Sequence, residues 1–295
     1  MRAVLFKRSG SADRLELAEV PRPAPEPNEI LVKVHAATVT RGDVVLRRLP
    51  SLLWRLFGFR RKTILGHEFA GEIEAVGADA TLFKEGERVF GTTTELTTGS
   101  YAEYICVPEE GILATVPANI TYEEAAPVPI GGLTALHFLR EGDVGSGKRV
   151  LVYGASGSVG TFAVQLATHF GAQVTGVCST SNVELVKSLG ADEVVDYTKE
   201  DFTEAGQTYD IIFDAVGTGS PRRGKRVLAE NGSYVSVRSS TKEKTEDLLV
   251  LRDLMERGEI KAVIDRLYSL EQVPEAHRYV EKGHKRGNVV ITVAS

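Results

Sequence analysis

Only two of the 295 residues are cysteine, Cys106 and Cys178, and they stand far apart. That excludes a disulfide framework and points to a reducing compartment. Long apolar runs are missing as well, so no segment reads as a membrane span. No secretory leader is visible, because Met1-Arg2-Ala3-Val4-Leu5-Phe6 enters directly into a strand-like run. Charge of either sign is not in strong excess. A net charge of −5 gives no reason to expect nucleic acid or an anionic membrane as a partner. The local group Arg55, Arg60, Arg61 and Lys62 reads as a solvated loop, and there are no internal repeats. With 42% hydrophobic and 25% charged residues the composition is ordinary for a globular chain of one or two domains. A cytoplasmic location is expected.

What is present is concentrated in Arg149 to Gly160. An apolar run, Val150-Leu151-Val152-Tyr153, stops at Gly154. A turn of small residues follows, and from Thr161 the chain runs with helical periodicity to Phe170. Strand, glycine turn and amphipathic helix open a dinucleotide-binding βαβ unit. Read as G-x-G-x-x-G, the turn is Ala155-Ser156-Gly157-Ser158-Val159-Gly160, with alanine at the first glycine position. Small residues let the backbone approach a pyrophosphate, and the helix N-terminus offers it N–H groups and partial positive charge. The competing reading is a glycine turn that serves packing alone. The next strand, Ala172 to Val177, leads into Cys178-Ser179-Thr180-Ser181-Asn182. An NAD site usually places Asp or Glu there for the ribose 2′-hydroxyl. Here no carboxylate is present to repel a 2′-phosphate, and hydroxyls are present to bond one, which favours NADPH over NADH. No Arg or Lys occurs at 178–182 to strengthen that preference. Ser179 and Thr180 would alternatively cap a helix over 182–189.

Along the chain, residues 1–118 read as β-rich, with strands at 2–6, 29–36, 68–76, 87–90 and 101–107. Pro21, Pro23, Pro25 and Pro27 make a stiff surface connector. Residues 121–141 read as one helix. From 149 strands are expected at 149–153, 172–177, 193–196, 209–215 and 233–237, with helices at 157–170, 182–189 and 219–229. That alternation specifies an α/β doubly wound parallel sheet. A helix over 245–257 follows, then strand, helix and strand over 262–295. The seven residues Arg238 to Lys244 leave no room for a further helix and strand, so a five-stranded sheet without a sixth edge strand is expected.

Several motifs then act together: Leu65-Gly66-His67-Glu68-Phe69-Ala70-Gly71 with Val76-Gly77, Gly86-Glu87-Arg88-Val89, Gly99-Ser100-Tyr101-Ala102-Glu103-Tyr104, Gly132-Leu133-Thr134-Ala135, Leu189-Gly190-Ala191-Asp192, and Lys282-Gly283-His284-Lys285-Arg286-Gly287. In this order, over nearly the whole chain, they resemble the medium-chain dehydrogenase/reductase superfamily, in its zinc-free, zeta-crystallin-like quinone oxidoreductase branch. The resemblance implies a GroES-like β-rich catalytic domain over 1–118 and 265–295. A Rossmann cofactor domain over 119–264 is inserted into it, with the active site in the cleft.

Zinc-dependent relatives hold a catalytic metal with Cys, His and Cys. By the resemblance these positions are Thr40, His67 and Ile130 here. One histidine does not hold zinc, and two cysteines in all exclude a four-cysteine structural site. No metal is therefore expected, and His67 reads as a hydrogen-bonded structural residue. Without a Lewis acid, reduction of an activated alkene or quinone is better served than oxidation of an alcohol. Thr40 is the candidate catalytic residue, donating one hydrogen bond to the carboxamide or the substrate oxygen. The alternative is a plain β-residue facing the core. The resemblance also implies cofactor roles for Thr134 at the start of a helix by the nicotinamide, and for Tyr197 beside the adenosine phosphate. Val216 and Gly217 would line the adenine-ribose cleft, and Asn288 stands where many relatives have lysine. Together with Gly154, Ala155, Ser156, Gly157, Ser158, Val159, Ser179, Thr180 and Asn182 they form the expected cofactor site. Tyr197 would otherwise be a half-buried strand residue. Segment 47–60, with Trp54, Phe57 and Phe59, either walls a pocket for a flat hydrophobic acceptor or packs as a helix on the small domain.

Relatives continue past the fifth strand with a helix and a sixth strand that often pairs two subunits. This chain skips most of that, so a monomer or a non-standard dimer is expected, with a small hydrophobic carbonyl or quinone as substrate. The leading expectation is an NADPH-dependent quinone or enone reductase, with NADH as the alternative cofactor. The competitors are a non-catalytic NADPH-binding or scaffold protein and an NAD(P)-dependent alcohol dehydrogenase.

Overall fold

The computed structural model describes residues 1–50, 64–94, 96, 98–204, 206–219 and 221–293. The expectations for Trp54, Phe57, Phe59 and the basic group at 55–62 therefore lie outside the described residues. The chain forms two compact units, Met1–Ile130 with Ile264–Ser295, and Gly131–Val263. The sequence-based boundaries at 118/119 and 264/265 compare with divisions at 130/131 and 263/264.

The first unit begins with strands β1 (Arg2–Phe6), β2 (Leu15–Glu19), β3 (Glu29–Thr38), β4 (Glu68–Val76), β5 (Arg88–Thr92), β6 (Tyr104–Pro108) and β7 (Leu113–Thr115). The second unit holds β8 (Arg149–Tyr153), β9 (Gln173–Cys178), β10 (Glu193–Asp196), β11 (Tyr209–Asp214) and β12 (Leu228–Ser236). The chain then returns to the first unit with β13 (Ile264–Ser269) and β14 (Asn288–Thr292). In the first unit β13-β14-β3-β4-β5-β7 form one sheet, β6 pairs with β3, and β1 pairs with β2. Its core is built from alternating strand residues such as Ile30, Val32 and Val34, joined by Val289 and Ile291 from the far end of the chain.

Helix α1 (Arg41–Arg48) was not expected. Its signal is a capping box: the Thr40 hydroxyl accepts from Asp43 N at 3.1 Å, and Asp43 Oδ2 accepts from Thr40 N at 2.8 Å. The expected helix over 121–141 is interrupted. It forms α2 (Tyr122–Ala125) and α3 (Val128–Glu141). Pro127 and Pro129 carry no backbone N–H, so the helical hydrogen bonds they would donate cannot form.

In the second unit all five strands are parallel, in the order β10-β9-β8-β11-β12. Strand order reverses at β8, the topological switch point where α/β sheets bind ligands beyond their carboxyl ends. Helix α4 (Ser158–His169) follows β8. It is buried all round from Gly160 to Ala167 rather than along one face. Its one amide side chain is satisfied, since Gln165 donates to Lys261 O at 3.0 Å and accepts from Lys261 N at 2.9 Å. Helix α5 (Val183–Ser188) follows β9. The helix expected over 219–229 shrinks to one turn, α6 (Pro221–Gly224), because Arg222-Arg223-Gly224-Lys225-Arg226 offers no apolar stripe to bury. The chain continues through α7 (Thr245–Glu256) and α8 (Val273–Glu281). Among the described residues β12 pairs only with β11, so the sheet ends there. Leu228 pairs with Tyr209 and Ser233 with Ile211, so Ala229 to Gly232 bulge opposite Asp210. Among the described residues no helix is long and apolar enough to cross a membrane.

A buried polar cluster ties α1 to α8 within the first unit. Arg47 is fully buried and donates to Gly10 O and, at 2.8 Å, to Glu281 Oε2. His277 is fully buried beside it, with its ring edge-on to Tyr101 at 5.7 Å between centroids. Neither ring nitrogen of His277 finds a hydrogen-bond partner among the described residues. Burial pulls its pKa down to about 4, against the attraction of Asp43. The unfolded chain therefore binds a proton that the folded chain refuses between pH 6.5 and 4. Stability is full above that window and falls as the pH drops through it, by up to about 3 kcal/mol. Urea unfolding at pH 7 and pH 4.5, on wild type and His277→Leu, checks this: the wild type should lose more stability. Equal losses would show that His277 accepts its proton at no cost.

Candidate functional site

The carboxyl edge of the parallel sheet carries the candidate cofactor site of the second unit. Between β8 and α4 the chain turns at Gly154, with φ of +84°, and a Cβ there would lie 2.2 Å from Val216 Cγ2. A Cβ on Gly160 would lie 2.1 Å from Gly154 O. Both positions need a hydrogen in place of a side chain. Gly154 N and Ala155 N donate to Val177 O at 3.1 and 3.0 Å, fixing the turn to β9. Gly157 is the N-cap of α4 and supplies no side-chain cap, an arrangement that suits an anion at the first turn formed by Ser158 and Val159.

The structure brings most of the expected cofactor residues to this edge. Asn182 Nδ2 donates to Ser156 Oγ and Ser179 Oγ, each at 3.1 Å. Ser179 makes no side-chain capping bond to the turn that follows it. Thr180 does not cap either; its hydroxyl donates to Asp196 Oδ2 at 2.5 Å. Tyr197 is 55% exposed just past β10, not half-buried within a strand. Val216 and Gly217 follow β11, where a residue the sequence reasoning missed organises them. Asp214 is buried; its Oδ1 accepts from Val216 N at 3.1 Å and Gly217 N at 2.9 Å, and its Oδ2 accepts from Gly219 N at 3.1 Å. The signal was available: a carboxylate ending an apolar strand just before a glycine-rich loop is an Asx-turn pattern. Thr134 does not start a helix; it lies in the second turn of α3, half-buried. Backbone that only glycine allows, an uncapped helix N-terminus and the switch point make these residues fit a dinucleotide.

The first unit holds, by itself, a chain of buried polar groups around Asp43. The Thr40 hydroxyl donates to Asp43 Oδ2 at 2.6 Å, so its one proton is committed and its donation to a substrate would break this bond. Thr40 is a helix cap, not a strand residue. Asp43 Oδ1 accepts from Gly66 N at 3.1 Å and lies 2.6 Å from His67 Nδ1, which is not aligned as a hydrogen bond. Burial pushes the Asp43 carboxyl up, but His67 and the bonds around it outweigh this and hold it below the usual carboxylate range. Glu68 is buried too. It accepts from the Thr38 hydroxyl and, at 2.8 Å, from Ile130 N. Burial pushes its pKa up to about 8. Lys285 donates to Gly287 O at 2.5 Å, and burial brings its pKa down to about 8 against the pull of Glu68. Asn288 is a buried residue opening β14.

These residues do not make a zinc site. The Thr40 hydroxyl is bonded to Asp43, Ile130 brings an apolar side chain, and among the described residues no group of three His, Cys, Asp or Glu side chains is placed to hold a metal. The glycine turn yields a direct test. Gly154→Ala should cost about 1–3 kcal/mol of stability and weaken dinucleotide binding, read by thermal unfolding and by cofactor titration. Unchanged binding would remove the turn from the site.

Comparison with known proteins agrees with this geometry. Residues 26–118 match the alcohol dehydrogenase GroES-like domain, and residues 158–282 match the zinc-binding dehydrogenase family. The chain is 35% identical to the 2-methylene-furan-3-one reductase of Solanum lycopersicum, covering 99% of this chain and 79% of that protein. It is 32% identical to the chloroplastic NADPH-dependent alkenal/one oxidoreductase of Arabidopsis thaliana, with the same coverage. The quinone oxidoreductase of Coxiella burnetii superposes with a TM-score of 0.91 at 28% identity, covering 100% of this chain and 99% of that one. With both family domains matched and the motifs in order, the chain belongs to the medium-chain dehydrogenase/reductase superfamily, in its quinone oxidoreductase branch.

Proposed function

We propose that this protein is an NADPH-dependent reductase that transfers hydride to a quinone or an α,β-unsaturated carbonyl without zinc. The observation that carries the reading is the glycine turn at the switch point of the five-stranded sheet, backed by the uncapped N-terminus of α4. Relatives named as alkenal/one, furanone and quinone reductases support the substrate class. When bound, the reduced nicotinamide supplies the hydride. The first turn of α4 holds the pyrophosphate, Ser156, Ser179 and Asn182 meet the adenosine ribose, and Val216 and Gly217 wall the adenine side. Thr134 stands toward the nicotinamide end, and Tyr197 flanks the adenosine phosphate. As hydride reaches the electrophilic carbon, charge develops on the carbonyl oxygen, and a proton from water or a hydroxyl completes the reduction. Thr40 serves this chemistry by positioning Asp43 and α1 rather than by donating its own proton.

The test is NADPH oxidation followed with a panel of enones and quinones, before and after treatment with a metal chelator, alongside fluorescence titration with NADPH and NADH. Acceptor-dependent oxidation that survives the chelator is expected, with NADPH bound more tightly than NADH. Cofactor binding without turnover on any acceptor would overturn the reading in favour of a scaffold, and loss of turnover with the chelator would restore a metal.

A further inference from the structure

The segment after β9 meets the 2′ substituent of a dinucleotide's adenosine ribose. It contains neither arginine nor lysine between Cys178 and Asn182. The fold brings a cation to it from the next strand. β10 runs parallel to β9 with Asp196 beside Cys178, and Tyr197 N donates to Cys178 O at 3.0 Å. Residues 197–199 therefore leave the sheet next to Ser179 and Thr180. Lys199 Nζ lies 3.1 Å from Asp196 Oδ2, the same oxygen that accepts from the Thr180 hydroxyl at 2.5 Å. The ammonium and the Thr180 hydroxyl thus share one atom.

The two members of this ion pair are held very differently. The Asp196 side chain is 9% exposed, and its other oxygen accepts from Thr198 N at 3.1 Å and Thr198 Oγ1 at 2.7 Å. The Thr180 hydroxyl, followed by those of Thr198, keeps its carboxyl well below the usual range, so it remains an anion. The Lys199 side chain is 67% exposed and is tied only at its tip. An ammonium on a flexible four-carbon stem can leave one oxyanion for another of higher charge without moving the backbone.

We infer that Lys199 is the cation that meets the 2′-phosphate of NADPH, and that the preference for NADPH over NADH rests on it. This deepens the reading of the chain as a nicotinamide-dependent reductase and depends on that reading. Asp196 has two opposed effects. It parks the lysine beside Thr180, and its fixed charge repels the incoming phosphate. The discrimination is the difference between a mobile positive charge and a fixed negative one. NADH brings only a hydroxyl to the same place and is indifferent to Lys199.

Cofactor titration by fluorescence on wild type, Lys199→Gln and Asp196→Asn tests this, with thermal unfolding run on each variant. Lys199→Gln should weaken NADPH about tenfold, the loss of one charge-assisted contact, and leave NADH within about twofold. Asp196→Asn should move the NADPH to NADH ratio the opposite way. Adenosine 2′,5′-bisphosphate and adenosine 5′-monophosphate, titrated by calorimetry, isolate the 2′-phosphate from the nicotinamide end and should repeat the pattern. Lys199→Gln weakening both cofactors alike, or neither, overturns the inference while the reductase reading stands. Failure of the wild type to bind either dinucleotide overturns that reading and this inference with it.

Discussion

The close packing of Gly154 against the Val216 side chain and of Gly160 against the Gly154 carbonyl is the constraint on which the second unit depends. A Cβ at either position would fall 2.1 to 2.2 Å from a neighbouring atom, Val216 Cγ2 in one case and Gly154 O in the other. Only with hydrogens there can the short turn 154–157 lead from β8 into α4. That start places an uncapped helix N-terminus at the switch point of the sheet and sets the loop after β11 against the turn. Asp214 then fixes that loop through three backbone donors. The shape of this edge is a consequence of packing that leaves no space for a side chain at Gly154 or Gly160.

The first unit is organised by a different physical device, a buried carboxylate with more than one donor. Asp43 takes bonds from Thr40 and from Gly66 N and faces His67. It thereby links the start of α1 to the segment leading into β4. The same cluster reaches Arg47, Tyr101 and His277, which come from three separate stretches of sequence. Leaving such a carboxylate without partners would carry a penalty of several kcal/mol, so these segments are held as a set.

The parallel sheet ends at β12 among the described residues. Among the described residues no further strand pairs with β12, and its four-residue bulge opposite Asp210 interrupts the ladder with β11. Glu230 and Asn231 are exposed on the bulged segment.

Much of this was legible in the sequence by itself. Strand periodicity, the glycine turn and the shortage of residues between 238 and 244 determined a five-stranded parallel sheet and a glycine turn leading into a helix, because each rests on local spacing. The absence of ligand side chains at Thr40 and Ile130 was likewise plain from residue identity. Side-chain partners were not legible, because they depend on which distant segments the fold brings together. In sequence Thr180 reads as a cap or a phosphate ligand and Thr40 as a donor; the fold bonds the Thr180 hydroxyl to Asp196 and the Thr40 hydroxyl to Asp43. The region from Cys178 to Asn182 lacks a cation in sequence, and the pairing of β10 with β9 puts Lys199 beside it. Local spacing decides which elements form. Tertiary structure decides where each hydroxyl proton and each charge is spent, since hydrogen bonds and ion pairs act between residues that only folding makes neighbours.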